Sequence, residues 1–437
     1  MAVSVQPTRI GERLVLMAII APGDDGVAVL TTIDGHHLTQ AVRSAREQRI
    51  PLVISLTLTG VSVDEGIGAS AAWGAAAREM VLASGVIPQF VLVNGPVVSG
   101  PALLLGLADI TIFNTEAYAF VTGPRTVAQY TGEPITSMAL GGSGAHARST
   151  GLASVVVDSP EAAIDSIAAI LGHLPDHVDD VPPVLATDDP IDRPTPEAGG
   201  FLPSSPNGSY DVRDVISSVV DDGEFLELKP SWAPNMVTGF AFVGGYSVGI
   251  VANQTQALAG SIDIPASQKA ARFVSMCDSF NVPLLTMVDT SGFLPGKDLE
   301  WRGMIRHGAQ LAFAYARATV PRVGLILRKS YGGAYIVMDS RHMGNDLMLA
   351  WPSAEVAVMG AKGAVGILHR KASLEERAEH EAKYEKEFLN PYQAAERSSI
   401  SAVIQPSETR EKLVAAFSLL ASKRERLRPR RHDNSPL

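Results

Sequence analysis

The chain is written twice, and that repeat constrains its fold more than any other feature. Around Ile50 it reads Ile-Pro-Leu-Val, then Thr59-Gly60, a helix-like stretch to Val86-Ile87-Pro88, and Ser99-Gly100-Pro101. Around Val282 it reads Val-Pro-Leu-Leu, then Ser291-Gly292, a helix-like stretch to Thr319-Val320-Pro321, and Gly332-Gly333-Ala334. Pro51 matches Pro283 and Gly60 matches Gly292 at one offset; Pro88 matches Pro321 and Gly100 matches Gly333 after a single extra residue. Each copy therefore places two glycine-containing turns after apolar strands, where backbone N–H groups can gather around a developing oxyanion. Two such half-sites suit two carbonyl compounds, or one held between the copies.

Short apolar strands alternate with helical stretches, which argues for an α/β or α+β layered fold with crossover connections. Leu14–Ile20, Val27–Ile33, Pro51–Leu58 and Gln89–Val93 have strand character, whereas Leu38–Gln48 and the alanine-rich Gly66–Ser84 have helical character. The stretch His177–Val212 mixes acid, proline and glycine and cannot bury enough surface by itself to order, so a linker or surface arm is expected there. The expected division is residues 1–178, a linker over 179–211, and residues 212–437. Ser373–Ala395 is expected to form a solvated Glu/Lys-rich helix. Lys423–Arg431 reads as an exposed basic tail or as a subunit-interface or phosphate-contacting arm.

The formal net charge of -10 argues against a nucleic-acid or anionic-membrane partner. Cys277 is the only cysteine, which leaves no intrachain disulfide or zinc ribbon and fits a reducing cytoplasm. Met1–Arg9 lacks the layout of a signal peptide, and the most apolar early run, Leu14–Ala21, is too short to span a bilayer. A soluble cytoplasmic protein is expected.

No nucleophile-and-base motif stands out: G-x-S-x-G, H-E-x-x-H and G-x-x-x-x-G-K-[ST] are all missing. His307 reads as a packing or surface residue. Lys362, in Met359-Gly360-Ala361-Lys362-Gly363, reads as a phosphate or carboxylate contact or as a solvated lysine. Gly332-Gly333-Ala334 follows the strand Val323–Leu327 and opens a helical stretch at Tyr335. Amides at a helix start lack internal acceptors and face a favourable dipole, so Gly333 and Ala334 can form an oxyanion hole. The same residues also suit a tight turn that needs positive φ. The residues alone leave both readings open.

The second copy resembles the carboxyltransferase β subunits of biotin-dependent acyl-CoA carboxylases, the acetyl-CoA and propionyl-CoA type. The resemblance runs through Ala266–Phe280, Asp289–Gly296, Gly303–Tyr315, Arg328–Met338, Ala350–Lys371 and the terminal Arg428–Leu437, and is most specific at Lys329-Ser330-Tyr331-Gly332-Gly333-Ala334-Tyr335. In the first copy it rests on Pro88, Gly95, Gly100-Pro101, Val121-Thr122-Gly123-Pro124, and Leu140-Gly141-Gly142 with His146.

The resemblance implies two tandem crotonase-like domains. Carboxybiotin, carried on a separate biotinylated α subunit, would bind the second half, and an acyl-CoA the first half of a neighbouring subunit in a ring-shaped hexamer. Gly333 and Ala334 would hold the ureido oxygen; Gly60 and Val61 would hold the thioester enolate. Cofactor or coenzyme A contacts would come from Gly292, Phe293, Tyr331, Gly332, Tyr335 and Ile336, with Gly100 and Pro101 in the first half; no metal is implied. Ile336 falls where the family tunes acyl-chain preference. The product would be malonyl-CoA or methylmalonyl-CoA.

The sequence departs from the family at Leu58-Thr59-Gly60-Val61-Ser62, where relatives read Ser-Gly-Gly-Ala-Arg, and its first half opens several tens of residues later. The Cβ atoms of Thr59 and Val61 are expected to restrict positive φ there. Two alternatives follow: a biotin-independent acyl-thioester decarboxylase, or a weakly catalytic scaffold in a mixed oligomer with a homologous β subunit.

Overall fold

The structure, a computed structural model, describes residues 3–22, 28–429 and 432–436. It divides into two compact units, residues 1–183 with 279–281, and residues 184–278 with 282–437.

In the first unit, a hairpin of β1 (Ser4–Ile10) and β2 (Arg13–Ile20) leads into a sheet. The sheet order is β1-β2-β4-β6-β7-β9, with β4 Leu52–Leu58, β6 Gln89–Val98, β7 Ile110–Asn114 and β9 Val155–Val157. From β2 onward the pairings are parallel. A short parallel pair, β3 (Val29–Leu30) and β5 (Gly60–Val61), lies off this sheet, and β8 (Tyr118–Phe120) pairs with the end of β6. The second unit repeats the plan. Its order is β10-β11-β12-β13-β14-β15-β17, with β10 Leu226–Leu228, β11 Met236–Val243, β12 Tyr246–Asn253, β13 Leu284–Thr290, β14 Arg322–Tyr331, β15 Leu347–Ala350 and β17 Ala402–Val403. The first three strands are antiparallel and the rest parallel, and β16 (Glu355–Ala357) pairs with the end of β14.

The repeated prolines have a local cause. Each stands just before, or one residue before, a parallel strand, where it needs no N–H but its carbonyl still accepts a ladder bond. Leu16 N–H donates to Pro51 and Leu52 N–H to Pro88, both at 2.9 Å. Gly249 N–H donates to Pro283 at 2.8 Å and Leu284 N–H to Pro321 at 2.9 Å. The strands that follow are buried on both faces, as crossover helices require; every residue of β13 is buried.

Crossover helices fill the space between strands. Thr32–Gln48 starts on a capping box between Thr31 and Asp34, which ends the strand expected over 27–33 after Leu30; Val27 lies outside the described residues. It packs on Ile67–Ala83 so closely that a Cβ on Gly35 would stand 2.5 Å from the Ala72 Cβ. The expected Glu/Lys-rich helix is two: Leu374–Phe388, then Pro391–Glu396, broken where Pro391 takes the first helical position.

The expected linker over 179–211 is largely folded onto the second unit. Leu185 N–H donates to Gly245 at 2.9 Å, Thr195 N–H to Ser407 at 3.0 Å, and Thr195 and Ala198 are fully buried. Arg410, with no exposed side-chain surface, pairs with Asp189 at 3.3 Å and Asp221 at 2.7 Å and donates to Pro190 at 2.9 Å. A distant arginine supplies interactions that the composition of this stretch does not reveal. Among the described residues, no helix is long and apolar enough to cross a membrane.

Candidate functional site

β14 ends at Tyr331 and the chain turns at once into the helix Gly332–Val337. Gly332 has φ +57, and a Cβ there would lie 2.9 Å from the Val358 carbonyl oxygen, so conformation and space both require glycine. In an α-helix the first turn of N–H groups has no intrahelical acceptor, which frees the amides of Gly333 and Ala334 from the helix's own ladder. Gly333 is exposed and Ala334 is buried.

The partner turn stands beside this one. Gly292, after β13, has φ +141. Ile262 N–H donates to Gly292 at 3.0 Å and Leu294 N–H to Ile262 at 2.9 Å, which pins the turn from both sides of Phe293. The Phe293 ring packs 3.5 Å from the Cβ position of Gly333 and 3.2 Å from that of Gly308, on the helix Met304–Arg317.

A cavity of about 550 Å³ opens on Gly332, Gly333, Tyr335 and Ile336. Its far wall carries Tyr384, Phe388 and Arg397. Tyr331 is buried, and its hydroxyl donates to Glu355. Burial, reinforced by that carboxylate, raises the tyrosine's pKa. Asp289 ties the two strand ends together: it accepts from Arg328 Nε at 3.0 Å, from Lys329 N–H at 3.1 Å and from the Tyr210 hydroxyl at 2.9 Å. Burial lifts its carboxyl above the usual range, opposed by Arg328. Sequence reasoning missed Tyr384, Phe388 and the Asp289 clamp, which only tertiary packing brings to the turn.

The first unit builds the same pair of turns. Gly60 has φ +149, close to Gly292, so positive φ falls on the glycine and spares Thr59 and Val61 the strain expected of them. Thr59 N–H donates to Ala28 at 2.7 Å and Ser62 N–H to Leu30 at 2.8 Å, and Gly60 and Val61 pair with β3. At the end of β6, Ser99 takes φ +70 and Gly100 opens the short helix Gly100–Leu103. Pro101 stands where Ala334 stands in the second unit and has no N–H. The indole of Trp73 lies against Gly100, 2.8 Å from its Cβ position through Cζ2 and 3.0 Å through Nε1.

Gly332, Gly333, Tyr335 and Ile336 thus line one cavity, with Ala334, Tyr331, Gly292 and Phe293 behind or beside them. Gly60, Val61, Gly100 and Pro101 belong to the other unit's pair of turns.

The carboxyl transferase domain family matches residues 16–435. The methylmalonyl-CoA decarboxylase subunit alpha of Veillonella parvula is 40% identical over 416 residues, spanning 93% of this chain and 81% of that protein. The mitochondrial propionyl-CoA carboxylase beta chain of Homo sapiens is 42% identical over 379 residues, spanning 86% of this chain and 70% of that one. A solved hexameric transcarboxylase 12S with hydrolysed methylmalonyl-coenzyme A bound superposes with a TM-score of 0.96 at 37% identity, over 100% of this chain and 85% of that one. A match over nearly the whole length, together with duplicated strand–turn–helix units, makes the chain a member of the carboxyl transferase domain family, a carboxyltransferase subunit of crotonase-like α/β fold.

Proposed function

We propose that this subunit acts in carboxyl transfer between carboxybiotin, carried on a separate biotinylated subunit, and the α carbon of a short-chain acyl-CoA. The observation that carries this reading is the turn at Gly332 and Gly333, with Ala334 directly behind it, opening on a cavity of about 550 Å³. When bound, carboxybiotin supplies the carboxyl group and a ureido oxygen that gains negative charge as that group leaves. The residues fit such a guest: Gly333 is exposed at the turn, and Ile336, Tyr384 and Phe388 offer apolar and aromatic walls to a flat ring system.

The chain's own contribution is electrostatic and positional. The Gly333 and Ala334 amides are aimed by the strand-to-helix turn and so need no reorganisation when charge develops. Asp289, held by Arg328 and the Lys329 N–H, fixes the ends of β13 and β14 and hence the spacing of the two turns. Phe293 and Tyr384 set aromatic rings beside the turn, and such low-dielectric neighbours strengthen each amide dipole. Ile336, on the cavity wall, favours an apolar acyl group such as acetyl or propionyl over a charged one. The mitochondrial and transcarboxylase relatives, named for propionyl-CoA and methylmalonyl-coenzyme A, favour propionyl-CoA as the acceptor and a hexameric assembly.

The test is breakdown of free carboxybiotin by the full chain: catalysis in the wild type and its loss in Ala334→Pro support the reading, and catalysis unchanged by the proline refutes it. A second reading, decarboxylation of a carboxyacyl-CoA, is favoured by the 40% identity to the decarboxylase subunit. CO2 release from methylmalonyl-CoA by the chain alone, without biotin, separates the two.

A further inference from the structure

Carboxyl transfer puts negative charge on two oxygens in succession, that of the carboxyl donor and that of the acceptor thioester as its α proton leaves. A duplicated fold offers one turn for each. In this chain the two turns are not equivalent. On the first-unit turn, Ser99 N–H is spent on Phe120 at 3.0 Å and Ala102 N–H on Ser99 at 3.0 Å. Pro101 has no N–H, which leaves Gly100 as the remaining amide of the turn, on a residue whose Cβ position lies 2.8 Å from the Trp73 indole. In the neighbouring turn the Thr59 and Ser62 amides are spent on Ala28 and Leu30, and Gly60 and Val61, the expected enolate donors, are drawn into the parallel pairing with β3. The second unit has Gly333 and Ala334 free of the helix ladder at the equivalent place, with Phe293 no nearer than 3.5 Å to the Gly333 Cβ position.

We infer that the first-unit turn of this chain does not cradle an acyl-thioester enolate, and that the acceptor half of the transfer is completed by a second, homologous carboxyltransferase chain whose turn keeps both amides. The inference rests on the reading proposed above and assigns this chain the donor side of the reaction. The residues that set this turn apart are Pro101, which deletes a donor, and Trp73, whose indole fills the space beside the Gly100 Cβ position. Trp73 is the only tryptophan of the first unit, set in an otherwise alanine-rich helix, Ile67–Ala83. Losing one such donor costs about 100- to 1000-fold in rate, which suffices to silence one half-reaction while sparing the other.

The experiment separates the halves on the full chain. Breakdown of free carboxybiotin reports the second unit. Deuterium entering the α carbon of propionyl-CoA in heavy water with free biotin present reports the acceptor side: a C–H bond breaks, and the carbanion takes a deuteron from solvent. The wild type is expected to break down carboxybiotin while leaving α exchange at the rate without enzyme. Pro101→Ala, alone or with Trp73→Leu, is expected to raise exchange at least about 10-fold, the lower part of what one amide is worth. Thermal melting confirms that each variant folds. Adding a homologous chain disabled at its own second-unit turn is expected to restore carboxylation of propionyl-CoA by the wild type. Wild-type exchange well above background, or exchange unmoved in both Pro101→Ala and the double variant, would overturn the inference. Absence of carboxybiotin breakdown in the wild type would instead sink the function on which it rests.

Discussion

At the end of β6 the chain enters Ser99 at φ +70, and at the end of β14 it enters Gly332 at φ +57. Strand, left-handed residue and helix follow in the same order, and the paired turns at Gly60 and Gly292 agree in φ within the scatter of real backbones, +149 against +141. Yet one unit presents Gly333-Ala334 beneath an open cavity, and the other presents Gly100-Pro101 beneath an indole. Backbone geometry survives divergence because hydrophobic burial on both sheet faces and the strand-entry prolines fix it. The chemistry does not survive by default, because it depends on which residues still own an N–H.

The comparison breaks most visibly at Ala334. Ala334→Pro gives the second unit the first unit's residue, and carboxybiotin turnover is expected to fall about 100- to 1000-fold, with thermal melting used to verify folding. A fall of less than about threefold would mean that the Ala334 amide holds nothing.

Stability gives the next contrast. His173, in the first unit, is 8% exposed, and burial lowers its imidazole pKa from 6.5 to about 4. Above pH 6.5 both folded and unfolded imidazoles are neutral and the stability is intact. Between 6.5 and about 4 the unfolded chain takes up a proton that the folded unit refuses, so stability falls as pH drops. The full loss is on the order of 3 kcal/mol. Denaturant titrations at pH 7 and pH 5 are expected to show lower stability in acid, a difference that shrinks in His173→Gln.

At the left-handed residues the effects are smaller. Gly332→Ala places a Cβ 2.9 Å from the Val358 oxygen at φ +57 and is expected to cost about 1–2 kcal/mol in chemical denaturation. Ser99 tolerates a Cβ at nearly the same φ, so Ser99→Gly relieves strain but gains entropy in the unfolded chain; a net change within about 1 kcal/mol is expected. An equal cost for the two substitutions would remove the steric distinction between the turns.

Much of this was legible in the residues. Pro51, Pro88, Pro283 and Pro321 marked the starts of parallel strands because proline is tolerated where only a carbonyl must pair. Gly60, Gly292 and Gly332 marked positions of positive φ. The missing donor at Pro101 needs no coordinates at all, once Gly100 is matched to Gly333. Other features were hidden because they depend on distant partners. Trp73 carries no signal in the sequence that ties it to the turn; only the fold sets it beside Gly100. The acidic stretch reads as a linker until Arg410 reaches Asp189. Thr32 reads as strand until the Thr31–Asp34 capping box starts a helix.

The central claim is that the Gly333 and Ala334 amides hold the anion on the donor side of carboxyl transfer. Its most direct test is the rate of carboxybiotin breakdown by wild type and Ala334→Pro, assayed side by side with folding verified. A loss of about 100-fold or more is the predicted result; equal rates in two folded proteins would contradict it.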